Sequence, residues 1–130
     1  MAAQDIENLL EFGEAGFGWR KLSTLVASTA SVVVKAGPGI LGAVTAFNNS
    51  TNAAYVHVYN TSSSVTAGAG TPDDRFMIPG GADGAQMFNP LPDGGTHYDT
   101  GIVFTVTTGI TDASTGSPAT NSYLVSCYYK

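Results

Sequence analysis

Three side chains that can bind metals or transfer protons lie close together in the segment DGGTHYD, residues 93–99. They are Asp93, His97 and Asp99. A metal site needs several such ligands converging from more than one segment, and the other histidine, His57, lies between two tyrosines in a predicted strand. Asp-Gly-Gly is also the composition of a tight turn. We therefore interpret the segment as a loop without a metal, and we expect His57 to pack against a neighbouring strand.

Three glycines follow a β-branched run with the spacing G-x-G-x-x-G, at Gly37, Gly39 and Gly42. In a dinucleotide-binding loop these glycines open a helix, and an acidic residue follows about 20 positions later. Here strand-forming residues follow the glycines, and serines occupy the expected acidic position. The segment instead predicts a β-hairpin with a type II turn, in which Pro38 sets φ and Gly39 takes a positive φ. No cofactor is predicted.

The sequence offers no other catalytic constellation. No serine lies in a G-x-S-x-G motif, and the single cysteine, Cys127, is far in sequence from both histidines. Asp73 and Asp74 are neighbours in an extended segment, where adjacent side chains point in opposite directions. We therefore predict that the protein is not an enzyme. Aromatic residues on predicted strands leave two alternatives open, core packing or a sugar-stacking platform: Tyr55, Tyr59, Phe104, Tyr128 and Tyr129.

The composition indicates a single domain with an unusually uncharged surface. The chain has 130 residues, of which 12% are charged, against about 25% in ordinary domains. Its net charge is −5, and Arg20 and Lys21 form the only adjacent basic pair, so binding to nucleic acid is not expected. No apolar run reaches the length of a membrane span. A surface of this kind is typical of a subunit that buries much of it against other subunits.

The first 22 residues differ from the rest of the chain. Four acidic residues and no basic residue precede Arg20, and Ile6, Leu9 and Leu10 have the spacing of a short amphipathic helix. This helix either covers one end of its own domain or belongs to an arm that docks on a partner. We divide the chain into an arm, residues 1–22, and a β domain, residues 23–130. The predicted partner-binding residues are Ile6, Leu9, Leu10, Phe12, Phe17 and Trp19.

From residue 23 onward the hydrophobic pattern has the two-residue period of strands. About eight strand segments are separated by turns rich in Gly, Pro, Asn and Ser, at residues 23–28, 31–36, 40–47, 53–60, 75–80, 84–90, 100–109 and 122–130. Many short strands without intervening helices predict an all-β protein, an antiparallel sandwich of jelly-roll-like type. Long loops are predicted at about 61–72, 90–100 and 111–120, and we expect them to be functional or buried against a neighbour.

Several of these turns and strands resemble those of small all-β virion proteins of tailed bacteriophages. The likeness covers roughly residues 32–130, and its motifs are patterns of turns and strands, not catalytic signatures. It rests on the segments KAGPG (35–39), FNNS (47–50), YVHVYN (55–60), IPGG (78–81), TGIVFTVTTG (100–109) and the final YYK.

The resemblance implies a structural role on the virion. Such proteins are capsid decoration (cement) proteins or other head and tail accessory subunits. The expected partners are the phage major capsid protein and further copies of this chain, in a homo-oligomer for which we expect a trimer. The expected location is the capsid surface of a virion assembled in the host cytoplasm. The alternative is a tail- or fibre-associated module that binds a receptor or carbohydrate.

Overall fold

The computed structural model describes residues 18–81 and 84–130. These residues form two antiparallel sheets, so the predicted all-β sandwich is confirmed. No helix in the described part of the chain is long and apolar enough to cross a membrane. The described residues contain nine strands and a 3₁₀ turn: β1 (Arg20–Val26), β2 (Val32–Lys35), β3 (Gly39–Asn48), β4 (Ala54–Tyr59), β5 (Asp74–Ile78), β6 (Ala85–Pro90), the 3₁₀ turn (Pro92–Gly94), β7 (Thr96–Tyr98), β8 (Ile102–Thr107) and β9 (Tyr123–Tyr129).

The first sheet has the order β1-β9-β3-β6, and the second has the order β2-β8-β4-β5. β7, which was predicted to be loop, pairs with residues 39–41 of β3, whereas β6 pairs with residues 43–48 of the same strand. β9 pairs with β3 over residues 41–48, so β6 and β7 follow one another along the opposite edge. They act as one strand interrupted by the 3₁₀ turn, and each sheet therefore has four strand positions.

The predicted hairpin at the glycine motif is wrong. β2 belongs to the second sheet and β3 to the first, so residues 36–38 carry the chain from one sheet to the other. Gly39 is not among the glycines with positive φ, so the type II turn is also wrong. The glycine is needed for space, because a Cβ atom there would lie 2.6 Å from the carbonyl oxygen of Lys130. The segment after Gly39 is a strand, as expected, and not a helix.

The core lies between the two sheets and is built from alternate residues of their strands. Val44 and Ala46 of β3 and Val56 of β4, for example, are all buried in this core. Tyr98 of β7 is also buried, and its hydroxyl donates a 2.5 Å hydrogen bond to Asp74 of the second sheet. Burial and this hydrogen bond raise the pKa of Tyr98. The Tyr98–Asp74 contact therefore joins the sheets at one end of the sandwich.

At the opposite end of the sandwich, a buried asparagine connects several segments through hydrogen bonds. Asn48, the last residue of β3, is fully buried. Its Nδ2 donates to the carbonyl oxygens of Asn52 and Pro79, both at 2.8 Å, and its Oδ1 accepts from the backbone N–H of Ser50 at 2.8 Å. The Tyr123 hydroxyl donates to the same Asn52 carbonyl at 3.0 Å. One side chain thus fixes the turn after β3 and the segment that follows β5.

The first strand begins earlier than the predicted domain boundary. β1 starts at Arg20 and pairs with β9 along its whole length, from Arg20 opposite Tyr129 to Val26 opposite Tyr123. Residues 20–22, which were assigned to the arm, are therefore strand residues. Residues 1–17 lie outside the described residues, and with them five of the predicted partner-binding residues: Ile6, Leu9, Leu10, Phe12 and Phe17.

Candidate functional site

The outer face of the second sheet is covered by the chain's own loops. Outward-facing residues in the middle of this sheet would be exposed on a bare sheet, but they are buried: His57 and Tyr59 of β4, and Val103, Thr105 and Thr107 of β8. The two connections that follow β4 and β8 lie on this side. These are two of the predicted long loops, and they cover their own sheet.

Contacts of the loops show how far they reach. Asp112, in the loop after β8, forms an ion pair with Arg75 of β5. In the loop after β4, the backbone N–H of Val65 donates to Ser31 Oγ at 3.1 Å, next to β2. The loops meet at Gly68, where a Cβ atom would collide with Thr115. Together they span the sheet from one edge strand to the other.

His57 lies under this cover and holds the loop after β8. Its Nε2 is 2.9 Å from Thr107 Oγ1 and 3.0 Å from the carbonyl oxygen of Gly109. Its Nδ1 and the hydroxyl of Thr105, the residue directly opposite on β8, are the two buried side-chain polar atoms in the described residues without a hydrogen-bond partner. Burial is the largest influence on the pKa of His57 and lowers it. The hydrogen bond to Gly109 raises this pKa, the positive charge of Arg75 lowers it further, and the negative charge of Asp112 raises it, so that the net effect is a lowered pKa.

The lowered pKa of His57 predicts a loss of stability in mild acid. The unfolded chain takes up a proton near the ordinary histidine pKa of about 6.5, whereas the folded chain resists protonation to a lower pH. The stabilisation is therefore complete above about pH 6.5 and declines as the pH falls. We expect the free energy of unfolding, measured in urea, to fall less between about pH 8 and pH 5 in His57→Gln than in the unmodified protein. The exposed His97→Gln variant is the control, and equal slopes for His57→Gln and the unmodified protein would contradict the prediction.

The outer face of the first sheet, in contrast, exposes large apolar side chains. We call this surface the apolar face and define it by Leu25 of β1, Phe47 of β3, Phe88 of β6 and Leu124 of β9. Their exposed fractions are 52%, 42%, 70% and 44%. Scattered exposed apolar residues are normal, but a contiguous patch marks an interaction surface. These four residues are contiguous because the strand register brings them together.

The register arranges the apolar face in rows across four strands. Leu25 lies opposite Leu124, and Leu124 lies opposite Phe47. In the next row Phe88 of β6 lies opposite Thr45 of β3. Between β3, β6 and β9 a shallow groove is lined by Phe47, Phe88 and Leu124 together with Gln86 and Ser126. The face therefore has apolar walls and a few polar groups, but no charged side chain in its centre.

One end of the apolar face is aromatic and basic. Trp19 lies over Gly42 of β3, where a Cβ atom would come within 2.6 Å of the indole ring. The Lys130 ammonium group is 4.8 Å from the centre of the Trp19 ring, and that of Lys21 is 5.8 Å from the Tyr128 ring. Gly42 of the glycine motif thus leaves the space that the Trp19 ring occupies, because any side chain at position 42 would clash with the ring. Of the six predicted partner-binding residues, Trp19 is the one whose position is described, and it lies at this end of the face.

The acidic residues and the cysteine that were considered as metal ligands or catalytic groups lie in turns, hydrogen bonds and the core. Asp93 lies in the 3₁₀ turn with a φ of 54°, and Asp99 Oδ1 accepts a 2.7 Å hydrogen bond from Asn60. In the part of the chain that the structure describes, no cluster of three or more histidine, cysteine and acidic side chains could hold a metal ion. The Asp74 carboxylate accepts a hydrogen bond from the Tyr98 hydroxyl. Cys127 is buried in the core, which raises the pKa of its thiol to about 12 and keeps it protonated.

The strand aromatics do not form one platform. Phe104 is in the core between the sheets, and Tyr59 is buried on the opposite face of the second sheet, under the loops. Tyr128 is half-buried at the basic end of the apolar face. A sugar-stacking surface would need these rings side by side and exposed. Core and interface packing therefore account for them better.

Comparison of the chain with family models and with curated proteins returned no match. The apolar face is thus identified as the candidate site from its geometry alone. Its exposed phenylalanines and leucines provide no nucleophile or acid–base pair, and they can contribute binding energy through burial. What this arrangement does best is adhere to another protein surface.

Proposed function

We propose that the protein is a structural subunit of a bacteriophage virion, a capsid decoration (cement) protein that bridges capsomers. Its partners are the major capsid protein and further copies of itself, and its place is the outer surface of the head, assembled in the host cytoplasm. A homo-oligomer, with a trimer as the predicted form, belongs to this proposal. The role is adhesive and not catalytic.

The observation behind this proposal is the contrast between the two outer faces. The middle of the second sheet is covered by loops of the same chain, whereas the first sheet exposes Leu25, Phe47, Phe88 and Leu124 in adjacent rows. Fully burying one such side chain contributes about 1.5 to 3 kcal/mol. Contacts of this size are weak one at a time, but repeated contacts on a symmetric lattice act together.

The strand order supports a jelly-roll-like topology, the finer part of the fold prediction. When β6 and β7 are counted as one strand, the hydrogen-bonded pairs include β1 with β9, β2 with β8, β3 with β6/β7, and β4 with β5. This nested pairing is that of a long antiparallel ribbon rolled into two sheets. Jelly rolls of this kind occur in viral capsid and lectin domains, which agrees with a virion role.

The alternative function is a tail- or fibre-associated module for a receptor or carbohydrate, in which aromatic and aspartate residues of exposed loops would carry recognition. The strand aromatics Phe104 and Tyr59 add no support to it, because both are buried. Labelling the protein on intact particles would distinguish the two, since a decoration protein lies over the head and a receptor-binding module lies at the tail.

Replacing Phe88 by aspartate should weaken attachment to the capsid without unfolding the protein. The side chain is 70% exposed in the subunit, so its loss costs the fold little. In the complex an aspartate would remove apolar burial and introduce a desolvated charge. We expect attachment to weaken by about 10- to 100-fold, measured by co-sedimentation with heads that lack the protein.

Met77→Asp is the matched control for this experiment. Met77 is 52% exposed but lies on β5, in the second sheet. Its replacement should leave attachment unchanged, and the thermal melts of both variants should match that of the unmodified protein. If Phe88→Asp binds heads as well as Met77→Asp does, the apolar face is not the attachment surface.

A further inference from the structure

We propose that, in the free subunit, residues 1–17 lie on the apolar face of their own first sheet. The first support is where the described chain begins. Trp19 lies on this face over Gly42, and Phe17 is two residues away, within about 7 Å of Trp19 along the chain. The apolar side chains of the segment therefore start beside the apolar surface that they would cover.

The dimensions of the face favour a short segment as its occupant. Four strands about 4.8 Å apart and rows from Ala43 to Phe47 give an area on the order of 300 Å². A stable interface between two proteins buries about 800 Å² on each partner, so this face alone is too small for a strong contact between two copies. A helix about 10 Å wide, in which 12 residues span about 18 Å, covers it well.

Charge complementarity supports the same occupant. Residues 1–17 contain Asp5, Glu7, Glu11 and Glu14 and no basic residue. The end of the face where the segment joins β1 contains Lys21 and Lys130, two of the five basic residues of the chain. An acidic segment with apolar side chains on one side therefore meets a basic rim beside an apolar surface.

Connectivity favours the segment of the same subunit over that of another copy. A segment tethered at the edge of its binding surface has an effective concentration in the millimolar range or higher, well above that of a separate copy in dilute solution. The face would then be shielded from solvent before assembly. It follows, if the proposed function is correct, that binding to the capsid displaces the segment and frees Ile6, Leu9, Leu10, Phe12 and Phe17 to contact a neighbouring subunit.

Trp19, the single tryptophan of the chain, reports on this contact in the full-length protein. Replacing Leu9 and Leu10 by aspartate should release the segment, shift the emission of Trp19 to longer wavelength and increase its quenching by acrylamide. The control variant Ala2→Asp with Ala3→Asp adds the same charge to the same segment. It should change neither the emission wavelength of Trp19 nor its quenching by acrylamide. Unchanged emission and quenching in the Leu9→Asp/Leu10→Asp variant would overturn the proposal.

Cross-linking distinguishes docking within one subunit from exchange between copies. Cys127 is buried with a raised pKa, so it does not compete with introduced thiols. Glu7→Cys with Gln86→Cys, on the groove of the apolar face, should form a cross-link within one chain with a short bismaleimide and run as a single chain on a denaturing gel. Glu7→Cys with Met77→Cys, on the other sheet, should not. Cross-linked dimers of the first variant, or no cross-link, would contradict docking on the same subunit; neither outcome bears on capsid attachment, which Phe88→Asp tests separately.

Discussion

Replacing Asn48 by alanine is expected to lower the free energy of unfolding by about 3 to 5 kcal/mol and Tm by about 10 to 20 °C. The side chain is fully buried and donates to the carbonyl oxygens of Asn52 and Pro79. Alanine would leave the Pro79 oxygen and the N–H of Ser50 without a side-chain partner, and the Asn52 oxygen would lose one donor while keeping the Tyr123 hydroxyl. Each such loss costs about 1 to 3 kcal/mol when water cannot replace the bond. Urea unfolding and thermal melts measure the effect.

The neighbouring Asn49 provides the control, because it is the same residue type at an exposed position. Asn49→Ala should change the free energy of unfolding by less than about 0.5 kcal/mol. If Asn48→Ala is no less stable than Asn49→Ala, the hydrogen bonds of Asn48 do not hold this end of the sandwich together. The comparison separates the buried network from a general effect of removing an amide.

Replacing Gly101 by alanine should destabilise the fold by about 3 kcal/mol. Gly101 is buried just before β8, and a Cβ atom there would lie 2.9 Å from the carbonyl oxygen of Lys35 and closer still to the backbone of Thr61. Both neighbours are backbone atoms, so the clash is relieved only if β2 or the chain after β4 shifts. A lower urea midpoint with an unchanged slope is the expected result.

Gly37→Ala is the matched substitution at an open site. No atom lies within 4 Å of a Cβ built on Gly37, and its φ is not positive. Alanine should therefore be neutral there or stabilise the protein by up to about 1 kcal/mol, because it restricts the unfolded chain. Equal destabilisation by both substitutions would show that crowding at Gly101 is not the cause.

The strands were largely predictable because the two-residue period and the turn residues coincide along most of the chain. β7 was missed because three residues between Asp-Gly-Gly and Asp99 carry almost no periodic signal. The glycine motif was assigned to a hairpin because Gly-Pro-Gly favours a tight turn locally. A local pattern does not show which of the two sheets the next strand joins. That depends on pairing between strands far apart in sequence, such as β3 with β9.

The candidate site was only partly predictable. Each of the strands β3, β6 and β9 has apolar residues at outward positions as well as at the buried ones. The outward residues are Phe47, Phe88 and Leu124, and the sequence shows them as apolar residues on both faces of a predicted strand. This pattern could not be interpreted alone, because β8 also has outward Val103, which the loops bury. Whether an outward apolar residue is covered depends on where a loop folds back, and loop paths are not periodic.

The pairing of β1 with β9 has a consequence for how the protein is made. β9 lies between β1 and β3 and bonds to both, although about a hundred residues separate it from β1. Contacts this far apart in sequence slow folding, because a large loop must close before they form. On the ribosome, β1 is synthesised about a hundred residues before the strand that pairs with it. Until Tyr123–Tyr129 leaves the exit tunnel, two strand edges are open to pairing with other nascent chains.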